Sequence, residues 1–401
     1  MTKVALLCSG LGNVLRGHEV FAADLFALLK DDLDITLYKG GGQPTAREIV
    51  IPHAQRRSPS LDGMHLPVAP KWHAAAVEVE RMRIEGESFA WGALDSLLSG
   101  EYDVIHCLEQ EVCNTLYAQR HLFAKTPKFL WSNGGAIPAH AQPRCDYVQE
   151  HSDNNLVRSV KGKAFVIPHG VDMNRFRPDV QTDFRQRHGI PADAFVVISV
   201  GSICYWHKRM DYIIREVASL PNPWLVIVGQ ETADTPGIKQ LGDELMRGRI
   251  VFTSMSHDQL PQAYAAADVF ALGSIFETFG IVYIEAMAMG LPVISTDHPN
   301  QRSIIKEAVF IDMKQSGTLA AALKDTPASR WKEIGLRGLE VARTIYDLDI
   351  LQQRYLDKYA EIACTPVTLP RYTLGRKLAS NIRSALPALD GWLSRNLRGG
   401  T

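Results

Sequence analysis

The sequence has few of the features that mark secreted or metal-structured proteins. Its 401 residues include six cysteines, and no two of them are spaced as a Cys-x-x-Cys pair. Scattered cysteines in a chain of this length favour reduced thiols over a disulfide framework, and they offer no metal-ligand spacing. We therefore expect an intracellular protein without a structural metal.

Long apolar runs are also missing. The first ten residues, MTKVALLCSG, hold too short an apolar run for the hydrophobic region of a signal peptide. Nowhere does an uncharged apolar run approach the roughly 18 residues that a membrane-spanning helix needs. These absences predict a cytoplasmic chain that does not cross a membrane.

Neither sign of charge is in excess. The chain has 43 Lys and Arg residues against 44 Asp and Glu residues, which gives a net charge of -1. A dedicated nucleic-acid-binding protein usually has a basic excess, so we expect no nucleic-acid partner. The hydrophobic fraction of 46% is that of an ordinary globular protein, and the length predicts two or three domains.

Short apolar runs alternate with longer amphipathic stretches from end to end, which predicts an α/β protein with parallel sheets covered on both faces. The predicted strands of the first half cover residues 4–8, 34–38, 103–106, 128–132 and 164–167, and those of the second half cover residues 195–200, 224–228, 250–252, 269–272, 292–295 and 309–311. Residues 39–70 have no such pattern and predict a long loop. A Gly- and Pro-containing stretch at 168–178 separates the halves, so we expect two facing, doubly wound, Rossmann-like domains with a cleft between them.

The segment 276–294 carries the strongest functional signal. Between Gly280 and Thr296 the only charged residue is Glu285, and an unpaired charge in such apolar surroundings is costly. Gly280 predicts the start of a helix whose free N–H groups suit a phosphate, with Glu277 just before it. The residue types alone leave an equal alternative, in which Glu277 is solvated and Glu285 is paired in the core.

This segment resembles the E-x7-E signature of the retaining glycosyltransferases of family 4, which have the GT-B fold. Four further segments resemble the family in the same order along the chain: 102–106, 167–176, 200–208 and 259–270. The resemblance covers about residues 1–363 and implies an acceptor-binding domain at 1–178, a donor-binding domain at 179–347, and final helices from 348 that return to the first domain.

The resemblance also implies roles for individual residues. The catalytic candidates are Glu277, Lys208 and His106. The implied donor-binding residues are Arg16, Gly17, Ser202, Lys208, Arg209, Met255, Glu277, Phe279, Gly280, Ile281 and Glu285. Within that set, Lys208 would neutralise the diphosphate and Glu285 would bind the ribose hydroxyls.

The chain departs from the family pattern at three places. Ser202 stands where an Arg is usual, and Arg209 is expected to replace that cation. Leu108 stands where many members have a second His, which leaves His106 either as a catalytic residue or as a hydrogen-bonded core histidine. Residues 299–303 replace the usual Gly-Gly-x-x-Glu segment. Glu109, after the same strand as His106, either orients an acceptor hydroxyl or simply begins a helix.

The resemblance implies a retaining glycosyltransferase of bacterial glycan or glycoconjugate biosynthesis. It would move a sugar from a nucleotide-diphospho sugar, UDP ahead of GDP, to a hydroxyl of a glycan, lipid-linked or small-molecule acceptor. No metal or other cofactor is implied. Two alternatives remain open: a catalytically impaired GT-B subunit that binds sugar nucleotides, and a nucleotide-sugar epimerase.

The last 37 residues differ in charge from the rest. Residues 365–401 contain six basic residues against one acidic residue, Asp390, interleaved with leucines. Such a segment either lies on an anionic membrane surface, at the inner face of the membrane, or packs as a helix across the first domain. The sequence does not predict an oligomeric state.

Overall fold

The computed structural model describes residues 2–14 and 17–367. A first parallel sheet is built from the N-terminal half of the chain. Its strands are β1 (Lys3–Cys8), β2 (Asp34–Lys39), β3 (Glu48–Val50), β4 (Val104–Cys107), β5 (Lys128–Ser132), β6 (Tyr147–Glu150) and β7 (Ala164–Val166). They lie in the order β3-β2-β1-β4-β5-β6-β7.

Helices cover both faces of this sheet. They are α1 (Gly17–Leu29), α2 (Pro70–Ser99), α3 (Gln110–Ala118) and the short α4 (Asp153–Leu156). The central strand β1 shows why: Val4 and Leu6 enter one hydrophobic core, and Ala5 and Leu7 enter the other. Because side chains alternate along a strand, a strand buried on both faces is a continuous apolar run.

A second parallel sheet follows in the C-terminal half. Its strands are β8 (Val196–Val200), β9 (Trp224–Val228), β10 (Ile250–Thr253), β11 (Val269–Ala271), β12 (Val293–Thr296) and β13 (Val309–Ile311), in the order β10-β9-β8-β11-β12-β13. Its helices are α5 (Phe184–Arg187), α6 (Met210–Ala218), α7 (Thr235–Met246), α8 (Leu260–Ala265), α9 (Ile281–Ala288), α10 (Pro299–Ile305), α11 (Thr318–Asp325) and α12 (Ala328–Val341).

The last described helix, α13 (Leu348–Cys364), belongs to the core of the first sheet. Leu351, Tyr355, Tyr359 and Ile362 are buried there with residues of β1 and α1. The chain thus crosses back from the second sheet to the first after a π-helical turn at Ala342–Tyr346.

Each sheet has one topological switch point. In the first sheet it lies between β1 and β4, and in the second between β8 and β11, because the chain winds outward in opposite directions from these pairs. Ligands of open parallel sheets bind beyond the carboxyl ends of the strands at this point. The loops that follow β1, β4, β8 and β11 are therefore the places to look for a site.

The predicted fold of two Rossmann-like domains is confirmed. Every predicted strand overlaps an observed one, and β3 and β6 were not predicted. β3 has only three half-buried residues, inside the stretch predicted as a loop. β6 ends in Gln149 and Glu150, which are buried but polar and so interrupt any apolar run.

Within residues 2–14 and 17–367 no helix combines the length and the apolar composition that crossing a bilayer requires. The predicted basic amphipathic tail lies, beyond residue 367, outside the described residues.

Candidate donor-binding site

The switch point of the second sheet brings a lysine and a glutamate together. Lys208 follows β8 and Glu277 follows β11, and Nζ of the lysine donates to Oε1 of the glutamate at 2.5 Å. Both side chains are mostly buried, with 15% and 5% of their surface exposed. A Cβ at Gly201 would lie 3.0 Å from Cε of Lys208, so this glycine makes room for the lysine. The pair is a preorganised cation and carboxylate at the expected edge of the sheet.

Helix α9 begins beside this pair. Gly280 takes a positive φ of 80°, a conformation that favours glycine, and it caps the helix. Since the first N–H groups of a helix have no partner within it, those of Ile281 and Val282 are available to an anion, whereas the N–H of Tyr283 donates to the backbone oxygen of Gly280 at 2.9 Å. The helix ends at Ala288, and Gly290 follows it with a positive φ of 73°.

Glu285 lies in the second turn of α9 and is buried and paired. Tyr264 donates its hydroxyl hydrogen to Oε2 at 2.9 Å, and Nε2 of His257 lies 2.7 Å from Oε1. Burial opposes a charge on His257, but the hydrogen bond and charge of Glu285 raise the pKa of this histidine. The paired alternative for Glu285 is what the structure shows. Each carboxylate oxygen has two lone pairs, so capacity remains for a further hydrogen bond.

Asn300 connects this site to the first domain. Its Nδ2 donates to the backbone oxygens of Glu277 and Thr278, both at 2.8 Å. Its Oδ1 accepts a hydrogen bond from Ser152, also at 2.8 Å, and the side chain is fully buried. The sequence marked residues 299–303 only as a departure from the family, because the partners of Asn300 lie far away along the chain.

Two neutral histidines stack where the domains meet. His151 and His169 lie 3.9 Å apart, nearly parallel, and both rings meet Phe21 and Phe279 edge-on. Burial lowers the pKa of His151 to about 3. Phe279, an implied donor-binding residue, is therefore held from the first domain by an uncharged aromatic cluster that the sequence did not reveal.

His106 does not line a cleft, which corrects its assignment as a catalytic residue. The ring is fully buried, with Nδ1 at 2.7 Å from the Tyr359 hydroxyl and Nε2 at 2.7 Å from Oγ of Ser132. Burial lowers its pKa to about 3, so the ring is neutral. The hydrogen-bonded core alternative is the observed one. One of the two partners, Tyr359, comes from α13, which no local sequence pattern connects to His106.

Arg209 is also not placed as expected. Its guanidinium donates to the backbone oxygens of Gly273 at 3.3 Å and Met313 at 2.6 Å, and it lies over the ring of Tyr212. These contacts use the group to hold loops together, so it does not replace the missing cation at Ser202. Lys208 remains the cation that faces Glu277.

The remaining predicted donor residues differ in their surroundings. Ser202 is exposed, and Met255 is half-buried against the core of the second domain. Gly17, at the start of α1, faces the second domain: a Cβ there would lie 3.6 Å from Cδ1 of Ile281. Arg16 lies outside the described residues.

One group of side chains in the described residues has the composition of a metal site. The ligand atoms of Cys8, His18 and Glu109 lie within 4.8 Å of one another at the switch point of the first sheet. Burial, with the charges of Glu109 and Glu19, raises the pKa of the Cys8 thiol. A transition metal needs the thiolate, so this environment does not favour metal binding through Cys8.

A large cavity lies away from these groups. It has a volume of about 680 Å³ and is lined by residues that include Phe195 and Trp224, at the amino ends of β8 and β9. This is the edge of the sheet opposite to the Lys208–Glu277 pair. Chemistry and topology both place the candidate site at the carboxyl ends instead.

Comparison with known proteins connects the second domain to a family. Residues 180–329 match the family described as Glycosyl transferases group 1. The D-inositol 3-phosphate glycosyltransferase of Mycobacterium tuberculosis is 36% identical over 136 residues, which are 32% of this chain and 28% of that protein. The chain thus matches less than a third of the length of these curated relatives.

Solved structures resemble nearly the whole described chain in fold. Sucrose-phosphate synthase from Thermosynechococcus elongatus is 17% identical with a TM-score of 0.72, covering 90% of this chain and 99% of that one. HepE from Anabaena, solved with UDP and glucose, is 16% identical with a TM-score of 0.69, covering 90% and 100%. At such identities the likeness shows the fold alone. The described chain thus has the two-domain GT-B fold, and its residues 180–329 match the Glycosyl transferases group 1 family.

Proposed function

We propose that this protein is a retaining glycosyltransferase that moves a sugar from a nucleotide-diphospho sugar to an acceptor hydroxyl. The observation that carries the proposal is the Lys208–Glu277 pair, at the switch point of the second sheet and beside the N-terminus of α9. A cation and free helix N–H groups suit a diphosphate, and a carboxylate suits the hydroxyls of the donor sugar. The group 1 domain match at residues 180–329 supports the same assignment.

In the proposed reaction the bond between the sugar and the diphosphate breaks while the acceptor oxygen bonds to the same face of the sugar. The nucleoside diphosphate leaves with the electron pair and takes the proton of the hydroxyl. Lys208 and the N-terminus of α9 stabilise the charge that develops on the phosphate, which is the main requirement of such a step. The proposal needs neither a protein nucleophile nor a metal ion.

UDP-sugars are the first donors to test and GDP-sugars the second. A structural neighbour, HepE, was solved with UDP and with UDP-glucose. In the proposal, Glu285 accepts a hydrogen bond from the ribose in addition to those from His257 and Tyr264. For the acceptor we propose a glycan, a lipid-linked molecule or a small polyol, handled in the cytoplasm or at the inner face of the membrane.

A donor panel tests the proposal. The protein is incubated with UDP-, GDP- and ADP-sugars, with and without candidate acceptors, and nucleoside diphosphate release is measured. We expect release that depends on the acceptor, that persists in EDTA, and that Glu277→Gln reduces strongly. Proton NMR of the product reports the anomeric configuration, and inversion would contradict the retaining mechanism. The exposed Glu244→Gln on α7 is the matched control.

A non-catalytic role in sugar-nucleotide binding is the second candidate. The observation that favours it concerns Arg209, whose guanidinium donates to backbone oxygens. Lys208 would then be the only one of the two expected cations to stabilise the diphosphate. Tight nucleotide binding without turnover across the panel would support this role. An epimerase would instead convert the sugar nucleotide without any acceptor, which the same NMR spectra would reveal.

A further inference from the structure

The switch point of the second sheet has an exposed aromatic surface at its rim. Four large hydrophobic side chains are exposed in the loops that follow β8 and β11: Tyr205, Trp206, Ile275 and Phe276. Trp206 is 87% exposed, the highest value among the large hydrophobic side chains that the structure describes. Single exposed apolar residues are ordinary, but a group of them beside a candidate site indicates a binding surface.

Trp206 and Phe276 are connected through His207. The ring centroids of Trp206 and His207 lie 5.8 Å apart, with the rings tilted by 36°. His207 forms a hydrogen bond with the backbone of Phe276, and the Phe276 ring meets His298 edge-on at 5.2 Å. We call the rings of Trp206, His207 and Phe276 the aromatic patch. Both loops of the switch point contribute to this patch, so the strands that place Lys208 and Glu277 place the patch as well.

The aromatic patch adjoins the Lys208–Glu277 pair. Trp206 and His207 directly precede Lys208 in the sequence, and Nε2 of His207 lies 3.7 Å from Oε2 of Glu277. Glu277 is the residue to which we assign the hydroxyls of the donor sugar. A ligand on Trp206 is thus one side chain away from the transferred sugar and does not occupy its place.

The nucleobase of the donor does not fit this position. We assign the ribose to Glu285, whose partner His257 follows β10. In the sheet β10 is separated from β8 by β9, whereas the patch follows β8 and β11. Because the base is attached to the ribose, we expect it on the β10 side of the diphosphate. The patch lies on the side of the transferred sugar.

The charges around the patch favour a neutral ligand. Burial lowers the pKa of His207, although the charge of Glu277 and the hydrogen bond to Phe276 act in the other direction. The neighbouring cations are paired, Lys208 with Glu277 and Arg302 with Asp297. An anionic lipid surface attracts basic side chains that are free to meet it, so this patch does not have the charge of a membrane contact.

A pyranose ring matches this combination of groups. One of its faces consists of C–H groups, which pack on a flat aromatic ring, and its rim carries hydroxyls that need hydrogen-bond partners. Trp206 offers the flat ring. His207, as a neutral imidazole, offers the polar group beside it.

We propose that the aromatic patch binds a sugar ring of the acceptor other than the ring that reacts, so that the acceptor is an oligosaccharide or a longer glycan. The proposal rests on the proposed function, because it names the class of acceptor. Trp206 and Phe276 pack on the C–H groups of that ring, and His207 forms a hydrogen bond with one of its hydroxyls. None of the three residues takes part in making or breaking a bond.

Binding is measured first, because it does not require turnover. Saturation-transfer NMR uses the full-length protein with UDP and with cellotriose, maltotriose and chitotriose as trisaccharides. Irradiation of the aromatic protein protons should transfer saturation to the C–H protons of one ring face in at least one trisaccharide. Octanol and phosphatidylcholine vesicles are the apolar control ligands, and we expect neither to compete with the trisaccharide.

Substitutions of Trp206 distinguish stacking from general apolar contact. Trp206→Ala should weaken trisaccharide binding about tenfold, the scale of losing one stacking contact, and leave UDP affinity within about twofold. Trp206→Phe keeps a flat ring and should retain most of the binding, whereas Trp206→Leu keeps apolar area without a flat ring and should behave like Trp206→Ala. Trp91→Ala, at an exposed tryptophan of α2, is the matched control and should change neither affinity.

Phe276→Ala should show a smaller loss of the same kind. Its matched control is Phe195→Ala, because both phenylalanines are 37% exposed and Phe195 precedes β8, at the opposite edge of the same sheet. Since the substituted side chains are exposed, all variants should melt like the wild type. If Trp206→Leu binds the trisaccharide as tightly as the wild type, the patch accepts any apolar group and the assignment to a sugar is wrong.

Turnover then separates the patch from the proposed function. If the wild type transfers sugar to a trisaccharide and Trp206→Ala raises the KM for this acceptor without changing kcat or the donor KM, both stand. Transfer with an unchanged acceptor KM in Trp206→Ala overturns the patch alone. Trisaccharide binding that depends on Trp206, without transfer, overturns the proposed function alone. Failure of all three trisaccharides to bind, or dimerisation of the protein that Trp206→Ala abolishes in sedimentation, overturns the patch.

Discussion

The two switch points have the same topology and different chemistry. Beyond β8 and β11, Lys208 is paired with Glu277 beside the start of α9. Beyond β1 and β4, His18 lies next to Glu109, which accepts a hydrogen bond from the backbone N–H of Ser9. The first arrangement provides a positive charge and free N–H groups, and the second provides hydrogen-bond acceptors. Under the proposed function, the second switch point is the anion-binding half of the molecule, and the first sheet, where the acceptor is expected, is the hydroxyl-binding half.

The difference also shows in what joins the halves. Asn300 links Ser152 of the first domain to the backbone at Glu277, and Phe279 packs on the His151–His169 stack. These contacts involve uncharged groups, so they join the two domains without adding a charge next to Lys208 and Glu277. Substitutions at Lys208, at Asn300 and at His106 test the second switch point, the contact between the domains and the core of the first sheet, in that order.

The largest effect should come from Lys208→Ala. Removing one preorganised electrostatic donor from a transition state lowers turnover by on the order of a hundredfold. We expect this loss in kcat, measured by nucleoside diphosphate release, while the acceptor KM stays constant, because the hydroxyl-binding half is intact. Lys324→Ala, on α11, is the matched control.

Since Lys208→Ala leaves the buried Glu277 without its cation, folding needs a separate check. The double variant Lys208→Met with Glu277→Gln removes both charges and keeps the volume. If this double variant melts like the wild type, the fold tolerates the loss of the pair. If Lys208→Ala also melts like the wild type, its own loss of turnover is catalytic. If Lys208→Ala keeps wild-type turnover while folded, the assigned role of the lysine is wrong.

The second largest effect should come from Asn300, which connects the two domains. Asn300→Ala removes two hydrogen bonds to the backbone at Glu277 and Thr278, and leaving buried groups unpaired costs about 1–3 kcal/mol. We expect a lower melting temperature and about a tenfold loss in kcat, because Glu277 is no longer held. Urea unfolding and steady-state kinetics measure the two effects.

Ser152→Ala is the matched variant for this connection, since it removes the bond across the domains and leaves both bonds of Asn300 to the loop. If Asn300 acts by holding Glu277, Ser152→Ala should keep most of the activity. If instead the two variants lose activity equally, the contact across the domains is what matters.

The sequence indicated the residues of the second switch point together but not those of the first, for a physical reason. Glu277, Gly280 and Glu285 lie within nine residues of one another, so one short motif indicates them together. Ser9, His18 and Glu109 meet only because β1 and β4 are neighbours in the sheet, and strand order was not readable from apolar runs. Glu109 was noticed, but nothing local connected it to His18.

The same reason explains the corrections. The parallel strands were predicted because burial on both faces makes a continuous apolar run. His106 was placed in a cleft because it ends such a run, whereas its partner Tyr359 comes from a helix at the far end of the chain. Arg209 was assigned by charge alone, and the backbone oxygens that it holds belong to two distant loops.

The smallest effect is on stability and concerns the core behind the hydroxyl-binding half. Burial holds the pKa values of His106 and His151 at about 3, below the ordinary value of about 6.5. Between these values the unfolded chain binds protons that the folded chain does not, so stability falls as the pH is lowered from about 6.5 towards 3. Each such histidine contributes about 1.4 kcal/mol of lost stability per pH unit within that window.

Urea unfolding at pH 7.5, 6.5 and 5.5 measures this dependence. We expect the free energy of unfolding to change little between pH 7.5 and 6.5 and to fall clearly at pH 5.5. In His106→Gln the amide can still form hydrogen bonds with Ser132 and Tyr359 but does not titrate. The free energy of unfolding should therefore fall less than in the wild type, by the contribution of one histidine. The exposed His121→Gln should show the wild-type slope. If the slope of stability against pH is unchanged in His106→Gln, His106 is protonated in the folded protein. The ring would then carry a positive charge in the core of the first sheet instead of being neutral.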